Sequence, residues 1–468
     1  MKTHRLFHVI TLLLFWCTPA LCLANVVTVP DIGSVAIGDQ VEFLEDPQGT
    51  LSVEQLLSGQ VTQVESDGVT YQWKKADSEI PNFGYSTSIF WGKLILDFSQ
   101  AMPGKRWLLE NEWPHVDNLT IILANMDGVE LDRQTAGLAV PYSQRRFHHR
   151  NLVYPLEVAA GDKVQLFIRI DSGNALQFPL VVWEREAFLE NDHDEQFIFG
   201  MFYGILLVMF LYNLFIYIGV REKSYLDYVM FIFAVALIQL DVNKFSFEYL
   251  WPESPWWSMR SVPILVSLAV VTMVPFVVNF LNTDDFAPRL GRFLRWCGYF
   301  SIPGLFIPLF TPHQIAAVYC LGFCGVAAAM LIFTTGYVAQ KGYQPAKLFL
   351  VAWGTFLSGA LIIILRNFGV LPVSFFTTYA LQIGIAIGVL LLSFSLAARI
   401  RTMKEEKKRV EKEAMRSQME AVPARGRAQP RRTPRARGSR GCTGWRTRAG
   451  PAAPRRKALA RCRPAETS

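Results

Sequence analysis

The chain has 468 residues, 51% of them hydrophobic, with a formal net charge of +7 and a mean hydropathy of +0.24, too apolar for an ordinary soluble protein and too charged to lie wholly in lipid. The charge is unevenly placed: residues 421–468 carry 13 Arg and 1 Lys against 1 Glu, or +13, which leaves 7 − 13 = −6 for the first 420. An all-soluble and an all-membrane chain are both excluded, and a membrane part joined to a soluble part is expected.

The N-terminus, "MKTHRLFHVITLLLFWCTPALCLAN", leads with Lys2 and Arg5, runs apolar from Val9 to Trp16 and closes on small residues near Ala24. That is the pattern of a secretory signal peptide over residues 1–24. A retained anchor is the alternative, against which the apolar run falls short of the roughly 20 residues a span needs.

Residues 25–196 contain no cysteine and carry 26 Asp and Glu against 12 Lys and Arg, so this region has an acidic surface and must hold together by its core alone. In "DKVQLFIRID", Val164, Leu166, Ile168 and Ile170 alternate with Lys163, Gln165, Phe167 and Arg169, which predicts a half-buried strand. Further strand-like runs are "IFWGKLILDF", "RWLLENEW", "LTIILANMDG" and "FPLVVWERE", separated by Gly, Pro, Asn and Asp; "LSVEQLLSG" is the one helical candidate. The expected fold is an all-β sandwich of the jelly-roll type.

Seven apolar runs of near-spanning length follow, at about 197–219, 225–240, 262–281, 293–310, 315–338, 346–365 and 374–398, so residues 197–398 are expected to form a seven-helix transmembrane bundle. Loops one, three and five carry Arg221, Lys223, Arg289, Arg292, Arg295, Lys341 and Lys347; loops two, four and six carry only Lys244, Arg260 and Arg366. Basic residues are held on the cytoplasmic side, which puts the N-terminal domain outside and the C-terminus inside. The last span has no lysine for a retinal Schiff base, and the spans are nearly bare of the ionisable groups a pump or transporter uses; Asn213, Gln239 and Gln382 are the main polar groups within them. Gly200-x-x-x-Gly204 and Gly384-x-x-x-Gly388 allow close helix contact, expected within the bundle.

Beyond Ala398, Leu396, Ile400, Met403, Lys407, Val410, Ala414, Ser417 and Ala421 fall at alternating spacings of four and three, so residues 399–421 are expected to form a cytoplasmic helix, either a dimeric coiled coil or a solvated juxtamembrane helix. Residues 422–468 change character. In the last 48 residues Arg, Ala, Pro and Gly make up 34, while Ile, Phe, Tyr, Asn and Asp are absent, so a disordered basic tail is expected. Either the tail is out-of-frame translation of a GC-rich gene, or it is a genuine segment that meets anionic lipid or nucleic acid by charge.

Several segments carry a resemblance: "NFGYSTSIFWGKLILDF", "KRWLLENEWPHVDNLTIIL", "VPYSQRRFHHRNLVYPLEVAAGDKVQLFIRIDSGNALQFPLVVWE" and the first span "GMFYGILLVMFLYNLFIYIGVREKSYLDYVMFIF". Over about residues 40–405 the chain resembles bacterial seven-transmembrane receptors with diverse intracellular signalling modules. The resemblance implies a jelly-roll sensing domain similar to carbohydrate-binding modules, and a linker that feeds a histidine kinase, a diguanylate cyclase or a phosphatase. No such output domain is visible: the last histidine is His313, and no acidic metal cluster or phosphate-binding glycine loop follows.

Aromatic faces, planar polar groups and the guanidinium fork are what bind sugars and carboxylates. Trp91, Trp107, Trp113, Arg145, Arg146, His148 and Arg169 are therefore the candidate ligand-binding residues, the alternative being that the tryptophans are core and the charged groups paired or solvated. His148 and His149 lack flanking ligands, so no metal is expected, and neither a catalytic residue nor a cofactor. The expectation is a multi-pass receptor of the bacterial inner membrane, with a periplasmic small-molecule or carbohydrate ligand, membrane lipid around the bundle, a homodimer through the cytoplasmic helix and no nucleic-acid partner. A transporter with an accessory binding domain and a protein that recruits a periplasmic partner are the alternatives.

Overall fold

The computed structural model describes residues 26–57, 64–66, 69–367, 370–372 and 374–427. The expected signal peptide and most of the expected tail lie outside these.

The described residues of the N-terminal region form fifteen strands: β1 Val26–Thr28, β2 Ser34–Ala36, β3 Glu42–Asp46, β4 Val64–Ser66, β5 Val69–Tyr71, β6 Lys74–Lys75, β7 Asn82–Tyr85, β8 Ile89–Asp97, β9 Trp107–Asn111, β10 Asn118–Ala124, β11 Glu130–Ala136, β12 Leu152–Leu156, β13 Lys163–Asp171, β14 Ala175–Gln177 and β15 Leu180–Glu184. One sheet has the order β11-β10-β13-β8-β3-β6, with β1 added in parallel to β8; the other has the order β12-β9-β15-β2. From β8 onward the chain crosses repeatedly between the two, as in a jelly roll. Leu119, Ile121, Leu123, Leu166, Ile168 and Ile170 of the larger sheet meet Trp107, Leu109, Tyr154, Leu180 and Val182 of the smaller in one buried core. Each such side chain contributes about 1.5–3 kcal/mol relative to exposure, which is how this region dispenses with disulfides.

The strand β13 differs from its sequence pattern in one respect. Phe167, on the face expected to be wet, is only 4% exposed. The outer face of the larger sheet is covered too: Leu44, Trp91, Ile122 and Phe167 pack under Leu51, Leu56 and Tyr71, contributed by a segment that includes the short helix Val53–Leu57.

Among the described residues, seven helices are long and apolar enough to span a membrane. They are α1 Arg185–Val220, α2 Lys223–Val242, α3 Ser261–Phe280, α4 Pro288–Ser301, α5 His313–Gln340, α6 Gln344–Asn367 and α7 Ala380–Arg427. The fourth span is completed by short turns at Pro303–Leu305 and Ile307–Phe310, broken where Pro303 and Pro308 lack an amide donor. Helix α1 begins well before the expected boundary at 196. Glu184, the last residue of β15, is its N-cap, and no Gly or Pro intervenes before Gly200 to end the strand with a loop. Helix α7 starts after Ser374, which caps the turn Phe375–Thr378 through a reciprocal bond with Thr377, and it runs without interruption past Ala421 to Arg427.

The two small-residue pairs behave differently. A side chain on Gly384 would meet the Thr355 carbonyl oxygen at 2.6 Å and one on Gly388 the Ala352 oxygen at 3.1 Å, so this pair is where α7 lies against α6; Gly200 and Gly204 face open space. The expectation that both serve packing within the bundle holds for the second pair only.

Polar ties join the first two helices to the seventh. Asn213 on α1 donates to the Ser393 hydroxyl on α7 at 3.0 Å, and the Tyr228 hydroxyl on α2 donates to the Val389 carbonyl at 2.5 Å. Near the end of the span, buried Arg399 donates to Glu222 at 3.3 Å and to Ser224, with Phe280 against its guanidinium. Pairing Asn213→Leu with Ser393→Ala in a double-mutant cycle, read as unfolding in detergent, is expected to return a coupling of about 0.6 kcal/mol, typical of interhelical hydrogen bonds in membranes.

Candidate functional site

Three places in the outer region combine shape with chemistry. The first is a cleft of about 950 Å³ at the β3–β6 edge of the larger sheet. Phe43 and Phe90 line it from within the sandwich, and Phe83 from β7 stacks on Phe90 at 4.5 Å and meets Phe43 edge-on at 5.0 Å. Around these rings stand Glu45, Asp77, Glu79, Lys74 and Lys75. Glu45 accepts from the Ser88 hydroxyl at 2.7 Å, and Lys75 donates to Gln40 at 3.2 Å. The wall at Glu79 can come this close because residue 38 is glycine: a Cβ there would sit 2.1 Å from the Glu79 carbonyl oxygen.

The remaining wall comes from the membrane region. Arg366 at the end of α6, with Leu371 and Pro372 just before the turn that opens α7, lines the same cleft. The Arg366 Nε is buried and has no hydrogen-bond partner among the described residues.

The second place is the contact between the smaller sheet and the start of α1. On the outer face of that sheet, Leu108 and Val153 pack on Phe188 of α1, with Phe147 and Trp183 beside them. Next to this apolar patch, buried His149 meets the Asp192 carboxylate at 2.9 Å; buried Arg150 donates to Asp192 at 3.2 Å and to Glu195, its guanidinium 5.2 Å from the Phe199 ring. Glu110 on β9 is 3% exposed and accepts from the Asn151 side chain at 2.8 Å. Burial pushes its pKa up to about 8, the charges of Glu112 and Glu195 add to this, and the Asn151 bond and Arg150 oppose it. Glu112 keeps solvent access but is hemmed in by protein, and its pKa is raised by that desolvation and by Glu195.

The third place is where the loop after α2 meets the sandwich. Tyr142, Leu138 and Phe247 form a small apolar cluster, and the Tyr142 amide donates to the Pro252 carbonyl at 2.9 Å. Lys244 lies here in a left-handed conformation (φ +61°), 1% exposed, its Nζ without a hydrogen-bond partner among the described residues. Burial holds its pKa below the ordinary lysine value, with Asp241 opposing.

None of the seven sequence candidates lines the large cleft. Trp107 is 2% exposed and packs against Phe98 in the core. Trp91 is 1% exposed on the covered face of the larger sheet, opposite Arg169, whose guanidinium lies 5.9 Å from its ring and 3.4 Å from Asp171. Trp113 is half-buried beside the His115 ring. Buried Arg145 donates to the His149 carbonyl at 2.8 Å and stacks on Tyr142 and Phe247. Exposed Arg146 forms a two-pronged pair with Asp132 at 2.8 and 2.9 Å, and His148 lies exposed against the Tyr142 ring. The structure brings Arg145 and Arg146 together at a smaller pocket of about 200 Å³ with Arg133, Gln134 and Tyr154. Sequence reasoning missed Arg150, Glu110 and the cleft aromatics. His149, set aside with His148 as lacking flanking metal ligands, is buried on Asp192.

A strand-rich outer domain fused without a linker to a seven-helix membrane bundle defines a multi-pass transmembrane receptor. Residues 195–399 match the family described as 7TM diverse intracellular signalling, and residues 38–184 match 7TMR-DISM extracellular 2. The chain belongs to this 7TMR-DISM family, and the two matched regions are its sensory domains, not catalytic ones. No curated protein matches the chain.

Proposed function

We propose that this receptor binds a small polar ligand, a carbohydrate in the first instance, in the cleft between the β3–β6 edge and the loop that opens α7. The observation that carries this is the shared wall: Phe83 and Glu79 belong to the sandwich, Arg366 and Pro372 to the chain on either side of the α6–α7 connection. A ligand there touches the sensing domain and the approach to the last helix at once, so it favours whichever relative position of the two gives it the better contacts. Stacked aromatic rings beside carboxylates and amides suit a sugar, which has an apolar face and a rim of hydroxyls.

The basic loops argue for a periplasmic sandwich and a cytoplasmic C-terminus in the bacterial inner membrane. On this reading the shift of α7 passes to a cytoplasmic output domain, with the heptad-like run after Leu396 pairing two copies of the chain. Saturable binding from a panel of oligosaccharides, measured on the intact receptor in nanodiscs, is expected to weaken at least tenfold in Phe83→Ala and in Arg366→Ala. If those variants bind normally while Arg146→Ala or Arg169→Ala abolishes binding, the ligand sits elsewhere on the sandwich and the cleft reading fails.

A further inference from the structure

We propose that the contact between the outer face of the β12-β9-β15-β2 sheet and the start of α1 is a proton-operated latch, closed when Glu110 is protonated and loosened when it ionises. The ligand is the proton, and the proposal holds whatever the large cleft binds.

The geometry sets up a carboxyl group without a cation of its own. Glu110, next to the last residue of β9, lies on the sheet face that meets the bundle, between Val153 and Val181 in register, and is 3% exposed. The guanidinium that offsets its charge, Arg150, is already engaged by Asp192 and Glu195 from α1. What reaches Glu110 directly is the neutral Asn151 amide at 2.8 Å. The other charges around it are Glu112 on its own strand and Glu195 on α1, both of the same sign, while His149 is held by Asp192. Arg366 lies near Glu112 and offsets its charge in part.

An ionised carboxylate in this position is desolvated beside like charges, whereas the acid form needs little more than the amide it already has. When the sheet face separates from α1, Glu110 becomes a surface residue and ionises near its ordinary value of 4.5, against about 8 in the closed contact. Between these values the closed state holds one proton more than the open state. The advantage of closure is therefore complete below about pH 4.5 and is lost as pH rises through about 8. Neutral surroundings lie inside that window, so a modest acidification outside the membrane tightens the sandwich onto the first helix.

Hydrogen exchange of the amides at 149–151 and in the first two turns of α1, measured on the intact receptor in nanodiscs and corrected for intrinsic rates, reads the latch. In the wild type, protection is expected to fall about tenfold per pH unit between pH 6 and pH 8. Glu110→Gln, a permanent mimic of the acid form, is expected to give a much shallower profile, keeping only the fall that Glu112 contributes. Glu112→Gln removes a like charge and is expected to bring the wild-type fall to its plateau at lower pH, which keeps the proposal testable if the first variant does not fold. Identical pH profiles for wild type and Glu110→Gln overturn it, as does an unmoved plateau in Glu112→Gln.

Discussion

Replacement of Arg150 by Ala is expected to cost the intact chain about 3 kcal/mol or more, seen as a lowered thermal midpoint and as loss of protection in the first turns of α1. The side chain is 5% exposed and is the one cation shared by Asp192 and Glu195, which belong to α1, while its own backbone belongs to the sandwich. Its removal leaves Glu195 without its cation and Asp192 with only His149 and Gln196, in a contact that also holds Glu110, and it empties the space against Phe199 and Phe245. Arg150→Lys retains the charge but not the fork that reaches two carboxylates at once, so an intermediate loss is expected. Acid should narrow the gap, because Arg150 also offsets the charge of Glu110, and that carboxyl is neutral well below its pKa of about 8. A deficit in Arg150→Ala that is as large at pH 5 as at pH 8 would show that shape rather than charge is what the contact needs.

Trp107→Ala is expected to destabilise the sandwich by about 3–5 kcal/mol, the range for emptying a buried aromatic site. Trp107 reaches from β9 into the space between the sheets against Phe98 and is 2% exposed. Trp113→Ala, at a half-buried position, is expected to cost distinctly less. Denaturation of the purified outer domain is not needed; loss of near-ultraviolet ellipticity in the full chain on heating follows the same core. A Trp107→Ala protein that unfolds with wild-type midpoint and loses only ligand binding would restore the tryptophan to the role of a sugar platform.

The spans were legible because a bilayer imposes one crude requirement, about 20 apolar residues in a row, and because loop charges follow insertion rather than tertiary contact. The alternation in β13 was legible for a similar reason: one face of a pleated strand meets the core. What a single strand could not reveal is whether its second face is covered, and Phe167 and Trp91 are buried by a segment around Leu51 and Tyr71 that is distant in sequence. The onset of α1 was hidden because strand and helix meet at Glu184 with no turn residue between them.

The candidate site was hardly legible. Its aromatic rings come from residues 43, 83 and 90 and its far wall from residues 366–372, a combination no local pattern announces. Tryptophan and arginine were reasonable ligands by chemistry, but the same chemistry makes tryptophan a good core residue and arginine a good partner for Asp132 or a backbone carbonyl. Glu110 illustrates the limit most sharply. Its sequence neighbourhood, "LLENEW", is that of an ordinary strand end; Glu112 within it adds a like charge, but the burial and the Asn151 and Glu195 contacts come from elsewhere in the chain.

The joint between β15 and α1 has no slack. The Glu184 amide is held by the Gly33 carbonyl at 2.8 Å and the Arg185 amide by the Arg106 carbonyl at 2.9 Å, while Lys105 grips the Glu184 carboxylate at 2.5 Å. A flexible tether would let the sensor wander and would average most of its displacement away before any of it reached the bilayer. Here the first helix inherits the orientation of a sheet strand directly, so the amplitude of the message is bounded by how far the sandwich itself deforms. On the reading proposed above, such a joint trades reach for fidelity: small motions, with little noise added between the sandwich and the membrane helices it orients.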